Sequence, residues 1–405
     1  MPRTHPRTIL VLLAVAVLGS TAPAAARRPH PITLRVPGFD VLPGTDREVC
    51  TFVRVPMDHP FDVAGQVIVS ATSGGSTSHH FLMWAYTGTD VDAFRPYEGT
   101  VFDSKGCLDM GPPDSASRIL IGGAQTPRSA GRMPRGLALR LDPLTPKSGG
   151  PPVVGFILNS HWINGTSKTV HGRVRAKLLP ARPASVKKYL KPIFEVVGNA
   201  FIDVAPRATA TVGWAWGPGL ADLAAGLGGM LPPTGPACVV TLTGHMHQWG
   251  TLFRASYVDA GGGSTVVYEN QDYDHPGQTL FSPALLVRPG EHIDYRCTHD
   301  NGVERPVRLG CEETPGEAPG MSIIAGLGIG RGAGEVAAKP CTALGPDPAE
   351  CPATDPVRPG RSFTGNCVEA RLVFGFTSHD EMCLLPGTFY DGNPDAAPGH
   401  ECDLQ

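Results

Sequence analysis

Short runs of apolar residues, many with polar residues at alternate positions, recur along the chain and are separated by turns rich in Gly and Pro. Runs of this kind are typical of β-strands. So many short strands favour an all-β protein with a sandwich or jelly-roll architecture. The predicted strands are 66–72, 81–86, 118–121, 137–141, 153–163, 169–178, 208–216, 239–247, 251–258, 265–269, 284–287, 293–298 and 367–376.

The sequence contains a single helix candidate, Ser185–Val197, and Pro192 weakens it because proline removes a backbone donor from a helix interior. The composition also argues against a helical protein, since the 405 residues include 50 Gly and 41 Pro. Hydrophobic residues make up 41% of the chain, which is sufficient for a real core at this length. Wholesale disorder and a helical bundle are therefore excluded.

The charge balance argues against a nucleic-acid partner. The 34 Lys and Arg residues are spread among 37 Asp and Glu residues, which gives a net charge of −3. Proteins that bind nucleic acids show a clustered excess of basic residues instead. We therefore predict no nucleic-acid partner, and the sequence gives no indication of the oligomeric state.

The N-terminus has the layout of a signal peptide. Arg3 and Arg7 precede the apolar run Ile9–Leu18, and small residues follow as far as Ala26. The run is too short for a membrane span, which takes about 20 residues, and the chain has no second long apolar run. We predict cleavage near Ala26 and a secreted or periplasmic product.

The chain has ten cysteines, which fits export, because an even set in an oxidising compartment is typical of disulfides. Buried free thiols are the alternative, and the count alone cannot choose a pairing. No CxxC motif occurs, which argues against zinc-ribbon and thioredoxin-like proteins.

The organisation of the chain suggests two β domains after a signal peptide at 1–26. The basic, Pro-containing stretch Ala181–Lys191 is a candidate linker, so we predict domains at 27–182 and 183–405. An insertion at about 311–366 is rich in Gly, Pro and small residues and looks tied by disulfides. The cysteines within it and at its edges are Cys311, Cys341, Cys351 and Cys367.

Two groups of histidines are candidate metal ligands. His79 and His80 open a strand-like run, and adjacent strand residues point to opposite faces. Both could bind one metal only where the strand begins irregularly, and the preceding segment 74–78 supplies that start. His245 and His247 have the spacing that places both imidazoles on one face of a strand. An exposed polar strand face is the alternative for this second pair.

Two further residues gain interest only in combination with these. His161 lies in the predicted strand 153–163, where a lone histidine is usually structural. Met382 lies in a Glu-Met-Cys segment, and a lone methionine usually packs in a core. A thioether is also a soft ligand that selects copper, particularly Cu(I), over zinc or iron.

Taken together with their flanks, these residues resemble the copper type II, ascorbate-dependent monooxygenases, the family of peptidylglycine α-hydroxylating monooxygenase and dopamine β-monooxygenase. The resemblance covers essentially the whole chain after the signal peptide, in family order. The segments that carry it are His79-His80-Phe-Leu-Met, Leu158-Asn-Ser-His161, Gly244-His245-Met-His247-Gln-Trp-Gly250, Asn270-Gln-Asp272, Arg288-Pro-Gly290, Tyr295-Arg-Cys297-Thr298 and Asp380-Glu-Met382-Cys383.

The resemblance implies two consecutive jelly-roll domains that each hold one copper ion. His79, His80 and His161 would bind the first copper, which takes electrons from ascorbate or a similar reductant. The second copper, which activates O2 for attack on a substrate C–H bond, would have as ligands His245, His247 and Met382. The resemblance also implies three disulfides, Cys297–Cys383, Cys238–Cys402 and Cys50–Cys107, and leaves the four insertion cysteines to pair among themselves.

The chain departs from the peptide-amidating branch, which binds its substrate carboxylate with an Arg, an Asn and a Tyr. Thr243, Leu384 and Pro386 stand at those positions, and Asn159 replaces a Gln of that branch. Without the Arg, bidentate carboxylate recognition is lost, so we do not expect peptide amidation. A non-catalytic copper-binding protein of the same fold is the alternative function.

Overall fold

The computed structural model of the protein describes residues 30–72, 78–104, 106–107, 117–204, 208–220, 233–301, 372–373 and 381–404. None of these residues lies in an α-helix, and the three short 3-10 helices are Val91–Tyr97, Pro183–Ser185 and Val197–Phe201. Strands dominate the described chain, so the all-β prediction is confirmed. The predicted signal peptide at 1–26 and the predicted insertion at about 311–366 lie outside the described residues.

The first sandwich consists of two sheets, one with strand order β1-β10-β3-β8-β11, in which β7 also pairs with β3, and one with order β5-β2-β9-β4-β6. Its strands are β1 (Ile32–Val41), β2 (Asp46–Pro56), β3 (Phe61–Thr72), β4 (Ser78–Tyr86), β5 (Phe102–Asp103), β6 (Arg118–Ala124), β7 (Arg128–Arg132), β8 (Leu137–Leu141), β9 (Val153–Ile163), β10 (Val170–Pro180) and β11 (Lys188–Tyr189).

The second sandwich has sheets with orders β12-β21-β15-β18 and β14-β19-β16-β17, and β13 pairs with β20 beside them. Its strands are β12 (Lys191–Glu195), β13 (Asp203–Val204), β14 (Thr209–Trp216), β15 (Ala237–Thr243), β16 (Gly250–Val258), β17 (Ser264–Asn270), β18 (Gln278–Val287), β19 (His292–Asp300), β20 (Leu372–Val373) and β21 (Leu385–Asp391).

Both sandwiches have the same topology. In each, eight main strands form two antiparallel sheets with orders 1-8-3-6 and 2-7-4-5, so the first strand pairs with the last, as in a jelly roll. These strands are β1, β2, β3, β4, β6, β8, β9 and β10 in the first sandwich and β12, β14, β15, β16, β17, β18, β19 and β21 in the second. Thus β4 and β9 are neighbours in the first sandwich, and β16 and β19 occupy the same places in the second. The fold is therefore two consecutive jelly-roll sandwiches.

The buried faces explain why these segments form strands. In β10, residues 170–178 alternate strictly between buried and exposed, as expected for a strand with one face on the core. β9 is buried on both faces, because Phe156 and Leu158 lie in the core of the sandwich and Ile157 on the other face belongs to a second cluster with Val91 and Phe94. Val240 and Tyr390 of the second sandwich belong to the core cluster of the first, so the two sandwiches pack against each other.

The structure corrects two local predictions. The helix candidate Ser185–Val197 instead contains β11 and β12, and Pro192 lies within β12, opposite Thr388 of β21. The predicted strand 239–247 ends at Thr243, so His245 and His247 follow the strand rather than share one of its faces. Tertiary pairing outweighed the local pattern in both places.

Three disulfides join the cysteines among the described residues: Cys50–Cys107, Cys238–Cys402 and Cys297–Cys383. These are the pairs that the resemblance implied, so this prediction is confirmed. Cys311, Cys341, Cys351 and Cys367 lie outside the described residues. No helix in the described chain is long and apolar enough to cross a membrane.

Candidate metal centre

The first three histidines come together because β4 begins irregularly. Ser78 pairs with Trp162 of β9, but His80 pairs with the very next residue, His161, so His79 is an extra residue in the ladder. A bulge of this kind re-aims side chains at the edge of a sheet. It lets both adjacent histidines approach His161, and all three are buried, with ligand atoms within 4.8 Å of one another.

One nitrogen of each ring has an oxygen partner. Nδ1 of His79 lies 3.2 Å from Asp274 Oδ1, Nε2 of His80 lies 3.1 Å from Asn159 Oδ1, and Nε2 of His161 lies 3.3 Å from Asp46 Oδ2. Oxygen partners of this kind fix the tautomer of metal-binding histidines, because the ring N–H points at the oxygen and leaves a lone pair on the other nitrogen.

The other nitrogen of each ring is buried and has no hydrogen-bond partner: Nε2 of His79, Nδ1 of His80 and Nδ1 of His161. A buried polar atom without a partner costs about 1–3 kcal/mol, so three in one cluster call for a physical reason. A metal ion provides one, since three neutral imidazoles offer three lone pairs to a cation. The residues present therefore fit a metal.

Burial also sets the charge of these rings. It lowers the pKa of His79 and lowers the pKa of His80 well below its usual value, because the charged form loses its hydration. Burial opposes protonation of His161 too, but the hydrogen bond to Asp46 and the charge of Glu48 outweigh it and raise its pKa. His79 and His80 are thus held neutral, the form that binds metals.

The second pair of histidines lies in the loop between β15 and β16. His245 forms an isolated antiparallel bridge with Leu384, with reciprocal backbone hydrogen bonds of 3.1 Å. Gly244 precedes it, where a Cβ would lie only 2.4 Å from the Phe253 ring. His245 and His247 are both buried, so the alternative of an exposed polar strand face is wrong.

The structure brings both histidine groups into one cluster. The ring centroid of His79 lies 6.2 Å from that of His245 and 6.0 Å from that of His247, and the ring of His80 lies 5.7 Å from that of His245. Burial lowers the pKa of His245 well below its usual value. Five buried imidazoles therefore meet where the two sandwiches touch.

Met382 lies on the segment that supports this loop. It is buried, two residues before the Leu384 that bridges His245. Its neighbour Glu381 is fully buried and accepts hydrogen bonds from the backbone N–H groups of His247 (3.1 Å) and Trp249 (2.6 Å). The Glu-Met-Cys segment therefore lies along the second histidine loop and is fixed by the Cys297–Cys383 disulfide.

Four residues at this site have no strong local signal in the sequence: Asp46, Gln125, Asp274 and His299. Gln125 Nε2 lies 2.6 Å from His245 Nδ1. His299 lies on β19, the strand that corresponds to β9, and its Nδ1 is 3.0 Å from Glu381 Oε2, with both side chains fully buried. Only the internal correspondence of the two sandwiches, which sequence comparison did not show, could have pointed to His299 as the counterpart of His161.

No protein-family model and no curated protein matches the chain. Among solved structures, the chain is weakly similar to one described as "Crystal Structure of the STIV MCP", at 9% identity and a TM-score of 0.25. That match covers 67% of this chain and 96% of the other. A similarity this low carries no argument about function.

Proposed function

We propose that this protein is an exported, copper-dependent monooxygenase that hydroxylates a substrate C–H bond with O2 and with electrons from ascorbate or a similar reductant. Two copper ions would bind, one at His79, His80 and His161 and one at His245, His247 and Met382. The proposal takes its reaction from the family resemblance of the sequence and its support from the arrangement of these side chains.

The observation that carries the proposal is the convergence of three unpartnered imidazole nitrogens. They lie on buried rings whose other nitrogens are held by Asp46, Asn159 and Asp274. Imidazole suits copper, zinc, iron and nickel alike. The buried thioether of Met382, on the segment bonded to His245, favours copper, because soft sulfur ligands stabilise Cu(I).

Copper, when bound, would supply one-electron transfer and the activation of O2. The protein's own residues would set the protonation of the ligand rings and exclude water from the site. Burial lowers the pKa of His79, His80 and His245, which keeps each ring neutral near neutral pH, with one nitrogen bearing a proton and the other offering a lone pair. The burial of all five rings keeps water away from the site, which limits loss of reactive species to side reactions.

The substrate is not a carboxylate held as in peptide amidation. Thr243 donates its hydroxyl to the carbonyl of Gly277 (2.8 Å), Leu384 pairs with His245, and Pro386 lies in β21 opposite Phe194. None of these three side chains can form a bidentate pair with a carboxylate. We therefore propose a small-molecule substrate and do not propose peptide amidation.

One observation favours the alternative, a copper-binding protein without turnover. The five histidines are between 1% and 9% exposed, so the described residues around them leave little room for a substrate. A protein that only stores or carries copper has no need of such room.

Oxygen consumption separates the two functions. The copper-loaded protein should consume O2 only when ascorbate and a suitable amine or hydrocarbon are both present, with one hydroxylated product formed per O2. Zinc-loaded protein is the matched control. Ascorbate oxidation without hydroxylated product across a broad substrate panel would contradict the monooxygenase and leave the copper-binding protein.

A further inference from the structure

At the histidine cluster, one side chain of each sandwich forms a hydrogen bond with a histidine of the other sandwich. Asp274 of the second sandwich contacts Nδ1 of His79 in the first, at 3.2 Å. Gln125 of the first sandwich contacts Nδ1 of His245 in the second, at 2.6 Å. We infer that Asp274 and Gln125 are positioning residues, and that each sandwich orients a metal ligand of the other.

The turn that carries Asp274 is built for this placement. Asn270 accepts a hydrogen bond from the backbone N–H of Asp272, and the Asp272 carboxylate accepts from the backbone N–H groups of Asp274 and His275. Three backbone donors are thus satisfied within one short turn. The Asn270-Gln-Asp272 motif therefore has a structural role here, which is to present Asp274 to the neighbouring sandwich.

Gln125 follows the last residue of β6, so its backbone is fixed by the first sandwich. Its amide can hold the His245 ring in two ways, either with nitrogen donating to Nδ1 or, after a half-turn, with oxygen accepting from Nδ1–H. The second orientation leaves Nε2 of His245 bare for a metal. An outer-shell partner of this kind usually affects metal affinity 10- to 100-fold.

This inference rests on the proposed metal site and does not depend on the oxygenase reaction. To isolate each site, Cu(I) affinity is measured by anaerobic competition with a coloured chelator in two backgrounds. His245→Ala retains only the first ligand set, and His161→Ala retains only the second. In the first background, Asp274→Ala should weaken Cu(I) binding about 10- to 100-fold although Asp274 lies in the other sandwich. In the second, Gln125→Ala should have the same effect.

Conservative variants and neighbouring residues provide the controls. Asp274→Asn keeps an oxygen acceptor and should restore most of the affinity, whereas Gln271→Ala and Thr126→Ala should not change it. The inference is overturned if the parent proteins bind Cu(I) and the alanine variants bind it equally well. It is also overturned if affinity falls together with the unfolding midpoint of the metal-free protein. Parent proteins that bind no copper would instead contradict the proposed function.

A second, independent feature is a basic face on the first sandwich. It consists of the exposed side chains of Arg35, Arg128, Arg132, Arg173, Arg175 and Lys177 on β1, β7 and β10. Arg35 pairs directly with Arg175, which pairs with Val69, which pairs with Arg128, so three arginines share one row across four strands. None of the six forms an ion pair with any residue that the structure describes.

Like charges directly opposite each other destabilise a sheet, so an unneutralised row of arginines indicates a ligand. The face measures about 14 Å across the strands and about 13 Å along them. Its basic side chains are spread over an area rather than along a line, and this distribution matches a planar surface better than a linear polymer. Five of the six are arginines, whose planar fork suits phosphate. We propose that the basic face docks on an anionic phospholipid surface.

Vesicle sedimentation tests this docking. The protein should pellet with vesicles of equal parts phosphatidylcholine and phosphatidylglycerol at low salt, but not with pure phosphatidylcholine. Replacing Arg35, Arg128 and Arg175 by Gln should weaken binding about a hundredfold. The control replaces Lys168, Arg182 and Lys187 by Gln, which makes the same charge change away from the face and should retain binding.

Two results would overturn the proposal. One is equal pelleting of both triple variants, which would mean that net charge alone governs binding. The other is tight binding to the soluble polymer dextran sulfate with none to the anionic vesicles, which would assign the face to a linear polyanion.

Discussion

The two sandwiches have one topology but position their candidate metal ligands differently. In the first, the ligands lie on paired strands, His79 and His80 on β4 and His161 on β9, so the sheet itself sets their positions. In the second, His245 and His247 lie in a loop before β16, and His299 on the equivalent strand β19 is beside Glu381 instead. One site is thus formed by a β ladder, and the other depends on a loop and its supports.

Replacement of one histidine in each sandwich is the strongest test of this comparison. Wild-type protein should bind two copper ions, and His161→Ala and His245→Ala should each lose one of them and all turnover. The fold should survive in both, because each change removes a ligand and leaves the sheets intact. Metal analysis measures the bound copper, O2 consumption measures turnover and circular dichroism measures the fold. Wild-type activity in either variant would mean that the replaced histidine is not a ligand of its site.

The sulfur ligand should distinguish the second site from the first. X-ray absorption of the reduced protein should show a sulfur scatterer on about half of the copper, near the 2.3 Å of metal–thiolate bonds. Met382→Ile should abolish that signal and turnover but spare copper at His79, His80 and His161. If the reduced wild type shows no sulfur ligand, Met382 is only a core residue.

The disulfides should separate loop support from general stability. Removing either Cys238–Cys402 or Cys297–Cys383 by double alanine substitution should cost about 2–5 kcal/mol of unfolding free energy. Only the second change should also weaken copper binding, because Cys383 follows Met382 directly. Denaturant unfolding and Cu(I) competition measure the two effects. Equal copper affinities in the two variants would show that the loop carrying His245 and His247 does not depend on the Cys297–Cys383 disulfide.

The smallest expected effect is on the pH dependence of the unfolding free energy, and it arises from Asp92 at the surface of the first sandwich. Hydrogen bonding to Ser148 and Arg95 lowers the pKa of Asp92 to about 2. A lowered pKa in the folded state adds stability above the unfolded value near 3.8, and that stability is lost as the pH falls toward about 2. Metal-free Asp92→Asn should therefore show a slightly flatter loss of unfolding free energy between pH 4 and 2 than wild type, as measured by urea titration.

The apolar pattern of the sequence predicted most of the strand content, and the family resemblance implied the three disulfide pairs, whereas the details of the site were predicted less completely. Strands 137–141 and 153–163 agree with β8 and β9 because their apolar patterns are long and local. β21, which has Pro386 and Gly387 near its start, was missed, since its pairing with β12 and β15 is purely non-local. The helix candidate failed for the same reason.

Within the site, the sequence identified the histidines and the methionine as candidate metal ligands, but it did not identify the side chains that form hydrogen bonds with these histidines. His79 and His80 were expected to need an irregular strand start, and the bulge at His79 has that form. Gln125 and Asp274 are single polar residues in turns, and they reach the histidines only because the two sandwiches dock. No local pattern can encode a contact that depends on docking.

The chain passes from one sandwich to the other through a single residue. β11 ends at Tyr189, β12 begins at Lys191, and the N–H of Leu190 between them donates to Ala138 of the first sandwich at 2.7 Å. Short tethers hold linked modules at effective concentrations in the millimolar range. Assembly of the histidine cluster is therefore an intramolecular event, and its completeness should not depend on how dilute the protein is.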